Sequence, residues 1–358
     1  MANDSLLLDY YQDQRFAEAL ALLKKVYPEP VNGFKTLGKL AYTSQMAGNL
    51  PDAENYYQRM YLLDSNNKAV LFNLGSINLR RGNNIKAEIY YKVLSQRDTT
   101  NFFVYKQLGK IAADKADIPA LGMYLQKANK LNPAEADVAS DLSDMYVGLK
   151  QYAQAENVLN AAISQDADNV VLLQSFLKLA YSQNKYTEVE NTCLKLINLG
   201  VNSAYVLTKL EAAYYNLKLY ACCVETFAEI PAISQSETSY YIAALAYKAL
   251  KDQQSAIANL KKAIEAGISP NITDYYAEMA DSYGVNKNYR SAMTAYQKSL
   301  QFHPKTIIYY LMATMYDSDL KNKKLALKYY KKFISGKLNA SQQKYVAYAR
   351  ARAHELSY

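Results

Sequence analysis

An all-α array of helix pairs is the fold this sequence predicts, and three observations predict it. Seven small or apolar residues stand at a fixed step of 34: Ala19, Ala53, Ala87, Leu121, Ala155, Val189 and Cys223, the spacing of a helix–turn–helix repeat. The ladder continues with small slips at Ala256, Ala292 and Ala326, giving ten units. Within a unit, apolar residues recur at intervals of three and four, which gathers them on one face of each helix. The eight prolines all avoid helix interiors, where a lost N–H and a ring clash are costly.

The elements follow in order. Leu6, Leu7 and Tyr10 already read as a first helix A, a few residues after Met1. So abrupt a start suggests a precursor whose leader was removed, with Met1 supplied for expression. With the Asn-, Lys- and Tyr-rich composition, this points to a bacterial periplasm or cell envelope; a native start points to the cytoplasm. In the third unit helix A carries Leu71, Leu74, Gly75 and Asn78, a turn follows at Arg81-Gly82-Asn83-Asn84, and helix B carries Ala87, Tyr91 and Leu94. Small Gly75 and Ala87 let the helices approach, while Tyr91 and Leu94 fill the gap to the next unit. Pro51 and Pro119 fall one residue into a helix B, where no N–H is needed. Pro133 and Pro304 fall in B-to-A turns, Pro270 precedes a helix A, and Pro28, Pro30 and Pro231 follow a helix B. The seventh helix B ends early at Ile230-Pro231, and Pro231–Glu237 reads as a kink between sub-arrays. The expected division is therefore 3–231 with about seven repeats, 232–338 with about three, and a capping helix over 339–358. That cap, needed to cover the last apolar face, presents Tyr345, Tyr348, Ala349 and Leu356, with Asn339 or Ser341 as N-cap.

Composition sets further bounds. Of 358 residues half are apolar, and 35 are Tyr with no Trp; a tyrosine ring packs between helices while its hydroxyl reaches water. The net charge of +8 sits at one end: Leu320 to Tyr358 holds ten Lys/Arg against Glu355, or +9, leaving −1 for the other 319 residues. No apolar run approaches the ~20 residues that span a membrane, and no signal-peptide pattern opens the chain.

The repeats resemble those of the tetratricopeptide repeat family, over nearly the whole chain. The family's Leu-Gly in helix A, Ala and an aromatic in helix B, and terminal Ala and Pro are matched by Leu74-Gly75…Ala87…Tyr91, by Leu108-Gly109…Leu125…Ala128…Pro133 and by Leu142…Tyr146…Tyr152…Ala155…Ala162. The resemblance implies a right-handed superhelical solenoid of antiparallel helix pairs whose concave groove is lined by A helices. One position departs from it. Glu211 stands at the phase of Gly75, Gly109 and Ala244, where a buried, unpaired carboxylate is costly. A splayed repeat or a partner for Glu211 would each answer this, and a local register slip is the preferred reading.

Catalytic, cofactor-binding and metal-binding residues are not assigned. Gly33-Phe34-Lys35-Thr36-Leu37-Gly38-Lys39-Leu40 falls short of a phosphate loop, which needs Ser or Thr after the lysine and a preceding strand. His303 and His354 are 51 residues apart and lack the neighbours a zinc site requires. Cys193 and Cys223 fall at packing phases, as small hydrophobes, and Cys222 lies beside that face. Asp137, Asp141 and Asp144 form a stripe on one A helix rather than the paired carboxylates of a pocket.

Function is placed in the groove instead. The resemblance puts ligand contacts at Tyr42, Phe72, Lys106, Lys110, Ser140, Asp144, Lys178, Tyr181, Tyr205, Thr208, Tyr215, Tyr241, Asp281 and Tyr310. Aromatics edged by polar groups suit a protein-binding surface. The chaperone-tail clamp of this family is rejected, because Asp141 and Asp144 stand where it wants Asn or Lys. The reading is a non-catalytic scaffold for a peptide or partner protein. Its rival is the basic C-terminal surface of Lys321, Lys323, Lys324, Lys328, Lys331 and Lys332, interleaved with Tyr329 and Tyr330, binding nucleic acid or anionic envelope components; nucleic acid ranks lower because no such motif is present.

Overall fold

The computed structural model describes residues 2–267 and 271–357. Helices follow one another as ten A/B pairs. The first five are α1 (Ala2–Gln12) with α2 (Phe16–Val26), α3 (Phe34–Met46) with α4 (Leu50–Leu63), α5 (Lys68–Arg80) with α6 (Asn84–Arg97), α7 (Phe102–Asp114) with α8 (Ile118–Leu131), and α9 (Ala136–Gly148) with α10 (Tyr152–Ile163). Then come α11 (Val170–Ser182) with α12 (Tyr186–Asn198), α13 (Ala204–Asn216) with α14 (Tyr220–Glu229), α15 (Glu237–Ala249) with α16 (Gln253–Ala266), α17 (Ile272–Val285) with α18 (Tyr289–Phe302), and α19 (Thr306–Ser318) with α20 (Lys323–Ser335). A 3-10 turn, Ala340–Tyr345, leads into α21 (Val346–Glu355). No strand occurs among the described residues. The chain forms two compact units, 1–179 and 180–358. Among the described residues no helix is long and apolar enough to cross a membrane.

The turns repeat as strictly as the helices. Each A-to-B turn passes through one left-handed residue: Gln14, Gly48, Gly82, Ala116, Lys150, Asn184, Lys218, Lys251, Lys287 and Lys321. The next residue then caps helix B in six pairs, where Asn49, Asn83, Asp117, Asp252, Asn288 or Asn322 accepts a backbone N–H of the first turn, relieving one of the orphan donors there. Only Gly48 and Gly82 hold the left-handed geometry without a Cβ penalty. Replacing exposed Lys150, Lys218 and Lys251 by Gly is therefore expected to stabilise the protein by about 0.5–1 kcal/mol per site, the steric relief outweighing glycine's extra chain entropy. A thermal melt of the triple variant checks this; an unchanged or lower midpoint refutes it.

In unit 1 the ladder alanines Ala19, Ala53, Ala87 and Ala155 are wholly buried. A Cβ on Gly75 would stand 2.8 Å from the Tyr91 ring, so only glycine lets that ring lie flat on α5. Leu121 departs from the ladder: it is half-buried and borders an open cleft, while Leu125, Ala128 and Gly122 fill the core of that repeat. Leu37 and Leu40, within the phosphate-loop-like stretch, are core residues of α3.

In unit 2 Val189, Cys193, Cys223, Ala256, Ala292 and Ala326 are wholly buried, and the rings of Tyr275, Tyr296, Tyr330 and Phe333 fill the space between pairs. Glu211 corrects the expected register slip. Helix α13 keeps its phase, and Glu211 points into the core with no accessible surface. Neither carboxyl oxygen has a hydrogen-bond partner. Burial lifts its pKa to about 9, so the side chain sits there as a neutral acid, which removes the charge that the sequence argument found intolerable. The early end of α14 and the long connection are as expected, with a 3-10 turn at Ala232–Ser234 and a capping box at Ser236. Pro270 lies outside the described residues.

The cap forms as a helix only from Val346. Asn339 caps the preceding 3-10 turn in a box with Gln342, and Ala349 and Ala353 bury against α19 and α20 beside Ala313, Tyr330 and Phe333.

Candidate functional site: the A-helix face

Helix periodicity sends one stripe of every A helix away from its own helix B, and the fourteen positions expected to bind ligand lie on those helices. In unit 1 Tyr42 is 48% exposed and meets Tyr11 edge-on at 6.3 Å. Phe72 is half-buried against Tyr91. Lys106 is held by Glu135 and, at 2.9 Å, by Asp137. Lys178 and Asp144 pair with each other at 2.8 Å, one full repeat apart. Ser140 and Ser175 share a hydrogen bond of 2.6 Å between neighbouring A helices. The charges expected to set a ligand's register thus largely satisfy one another and tie adjacent A helices together.

Two groups stay available. Lys110 is exposed and has no ion pair among the described residues. Asp141 stands on an open stripe, its carboxyl held above the usual range by loss of water and then by Asp137 and Asp144. Both border a cleft of about 400 Å³ formed by α7, α8, α9 and the start of α11, whose floor carries Leu121 and Leu125. The arrangement offers one cation, one carboxyl and an apolar floor.

In unit 2 the sequence reading missed the central residue. Lys209 puts its ammonium 3.6 Å above the Tyr181 ring and 5.6 Å from that of Tyr205, and burial holds it below the usual lysine range. Such a contact is favourable because the ring face is electron-rich. The signal was available: Lys209 follows Tyr205 by four residues, on the same helix face. Tyr205 is 44% exposed. Thr208 is occupied by a bond to its own helix at Ala204, and Tyr215 tilts against Tyr220. Tyr241 packs on Tyr275 at 4.6 Å, its hydroxyl pushed above the usual range by burial. Asp281 pairs with Lys248, which also holds Glu278 at 2.6 Å. Tyr310 lies in a ring cluster with Phe333, Tyr345 and Tyr348 against the cap.

The six C-terminal lysines are all exposed. Lys332 lies over the rings of Tyr309 and Tyr329 at 5.3 and 5.8 Å, Lys328 lies 5.9 Å from Tyr329, and Tyr316 stacks on Tyr329 at 5.6 Å.

Fold and face together define an all-α helical repeat array. The tetratricopeptide repeat model matches residues 136–169 and 237–266, the stretches of α9–α10 and α15–α16, and the other pairs keep the same phase; the chain carries tetratricopeptide repeats. It resembles the C-terminal part of a repeat protein from Cytophaga hutchinsonii, at 16% identity, over 77% of this chain and 98% of that one, with a TM-score of 0.49. It also resembles a tetratricopeptide repeat protein from Parabacteroides merdae, at 17% identity, over 73% and 98% of the two chains, TM-score 0.47. A third likeness is YrrB, described as a repeat protein with an unusual peptide-binding site, at 12% identity, over 51% and 94%, TM-score 0.46. No curated protein matches the sequence.

Proposed function

We propose that this protein is a non-catalytic scaffold that holds a peptide segment of a partner protein on its A-helix face. The observation that carries the reading is the cleft bordered by Lys110, Asp141 and Ser140. It lies where an expected binding position of one repeat meets that of the next, and it combines an unpaired cation and an available carboxyl with an apolar floor. A peptide side chain fills the floor, and Lys110 and Asp141 read the polarity of its flanks; charge complementarity of this kind sets orientation and on-rate more than raw affinity. Lys106, Lys178 and Asp144 hold the A helices in place.

The test is a peptide selection on the wild-type protein, followed by binding measurements on Lys110→Glu/Asp141→Lys, which swaps the charges at constant net charge. Selected peptides are expected to lose at least tenfold in affinity. Equal affinity for both proteins overturns the assignment.

The ring-backed lysines at α20 support a second reading, a polyanion-binding end. Neutralising Lys328, Lys331 and Lys332 is then expected to reduce the steep salt dependence that phosphate contacts impose. A binding curve that is insensitive to salt rules this reading out.

A further inference from the structure

A second cleft lies within unit 2, and its lining includes none of the expected binding positions. It opens between α16, α17 and α18, with a volume of about 460 Å³, and runs into a neighbouring depression of about 670 Å³. The two share Lys261, Glu265 and Tyr283, so they form one trough across consecutive B helices.

Its chemistry differs from that of the A-helix face. There, Lys106, Lys178 and Lys248 each hold a carboxylate. Here, Lys261, Lys262, Arg290 and Lys298 border the trough, and none has an ion pair among the described residues. Glu265 is the one carboxylate in the lining. Lys298 is propped 5.4 Å over the ring of Tyr276, which itself stacks on Phe302 at 5.7 Å and 9°. Lys262 is backed in the same way by Tyr240. These rings limit the rotamers of the cations and so lower the entropy that a ligand must overcome. The floor is apolar, with buried Met279 and half-buried Ile264.

We propose that this trough binds an acidic peptide segment carrying an apolar side chain. Carboxylates of the segment meet the unpaired cations, and its apolar side chain seats on Ile264 and Met279. The shape favours this occupant over other anions. A flat lipid surface does not reach a recessed floor, and a phosphodiester backbone carries no apolar side chain to seat on Ile264 and Met279. The site is separate from the A-helix face, so it stands or falls independently of the function proposed above.

The test uses a panel of fluorescein-labelled decapeptides, each with five Glu or Asp and one Phe or Leu, read by fluorescence polarisation on the full-length protein. Three proteins are compared: wild type, Lys261→Glu/Arg290→Glu/Lys298→Glu, and a control with the same net charge change, Lys25→Glu/Lys35→Glu/Lys130→Glu. All six positions are exposed, so both variants are expected to fold, which a thermal melt checks. Support consists of a peptide that loses at least tenfold in affinity on the trough variant, less than threefold on the control, and at least fivefold when its Phe or Leu becomes Ala. The proposal is overturned by equal losses on both variants, which indicate only the overall field of the protein. It is also overturned if no peptide of the panel binds at millimolar concentration, or if single-stranded DNA or phosphatidylserine vesicles bind the trough more tightly than every peptide.

Discussion

Between pH 5 and pH 9 the wild-type protein is expected to lose stability in its second unit that a Glu211→Gln variant keeps. In the folded chain Glu211 is wholly buried without a hydrogen-bond partner, and its pKa is about 9. In the unfolded chain it titrates near 4.5. The folded state therefore binds the proton more tightly, and its advantage is complete below the unfolded pKa. As pH rises above about 4.5 the unfolded state releases its proton while the folded state does not, and stability falls until the folded pKa is passed. At 1.36 kcal/mol per pH unit the loss is about 3 kcal/mol by neutral pH and about 6 kcal/mol by pH 9. Glutamine has nearly the same shape and cannot ionise. Its own unpaired amide carries a cost that does not change with pH, so the variant's midpoint is expected to rise relative to that of wild type as the pH goes from 5 to 9. Melting both proteins at half-unit steps isolates this one group, because every other titration is common to them. Two parallel curves would show that Glu211 ionises in the folded chain and finds a partner there.

The same residue shows where sequence reasoning reaches its limit. The fold was legible because one phase recurs ten times: Ala19, Ala53, Ala87 and their successors mark where two helices touch, and a repeated constraint outweighs the degeneracy of any single repeat. Glu211 broke the phase, and the pattern offered a slip as the cheapest repair. The backbone did not slip, and α13 keeps the length and phase of its neighbours; the side chain took up a proton instead, an adjustment invisible in a letter code. The left-handed turn residues escaped notice for a related reason. Eight of the ten are Gln, Ala, Lys or Asn rather than Gly, so composition gives no sign of them, although their spacing does.

The candidate site was legible in position more than in state. Helix periodicity put Lys106, Asp144, Lys178 and Tyr205 on A helices, as found. It did not show that Lys178 and Asp144, 34 residues apart, face one another and neutralise each other, because pairing depends on the offset between neighbouring helices. Nor did it show that Tyr310, in phase with exposed Tyr42 and Tyr205, has a cap beside it. Lys209 was not singled out. Half-burial beneath two rings distinguishes it from exposed Lys332, which also lies over two.

Asp317→Ala is expected to release the C-terminal cap while leaving the first unit intact. Arg352 of α21 donates from Nε and Nη2 to the two oxygens of Asp317 on α19, both at 2.8 Å, and the buried Tyr330 hydroxyl donates to the same carboxylate at 3.3 Å. The Asp317 side chain is only 10% exposed, so this pair is better shielded from solvent than the surface pairs of the array. Removing the acid leaves the buried Tyr330 hydroxyl without its acceptor and the Arg352 guanidinium with Glu355 alone, so α21 loses its polar tie to α19. Because each repeat touches only its neighbours, the cost falls on the terminal units. Amide exchange is expected to speed up across 346–355 and then along α20, with protection in 34–114 unchanged. The pH dependence runs opposite to that of Glu211. Its hydrogen bond with Arg352 holds the Asp317 carboxyl below the usual aspartate range, so it stabilises the fold above that range and the contribution is lost as pH falls through the lowered value. Wild type and Asp317→Ala should therefore converge in acid and be fully separated above about pH 4. Unaltered exchange in α21 would mean that the packing of Ala349 and Ala353 holds the cap without the ion pair.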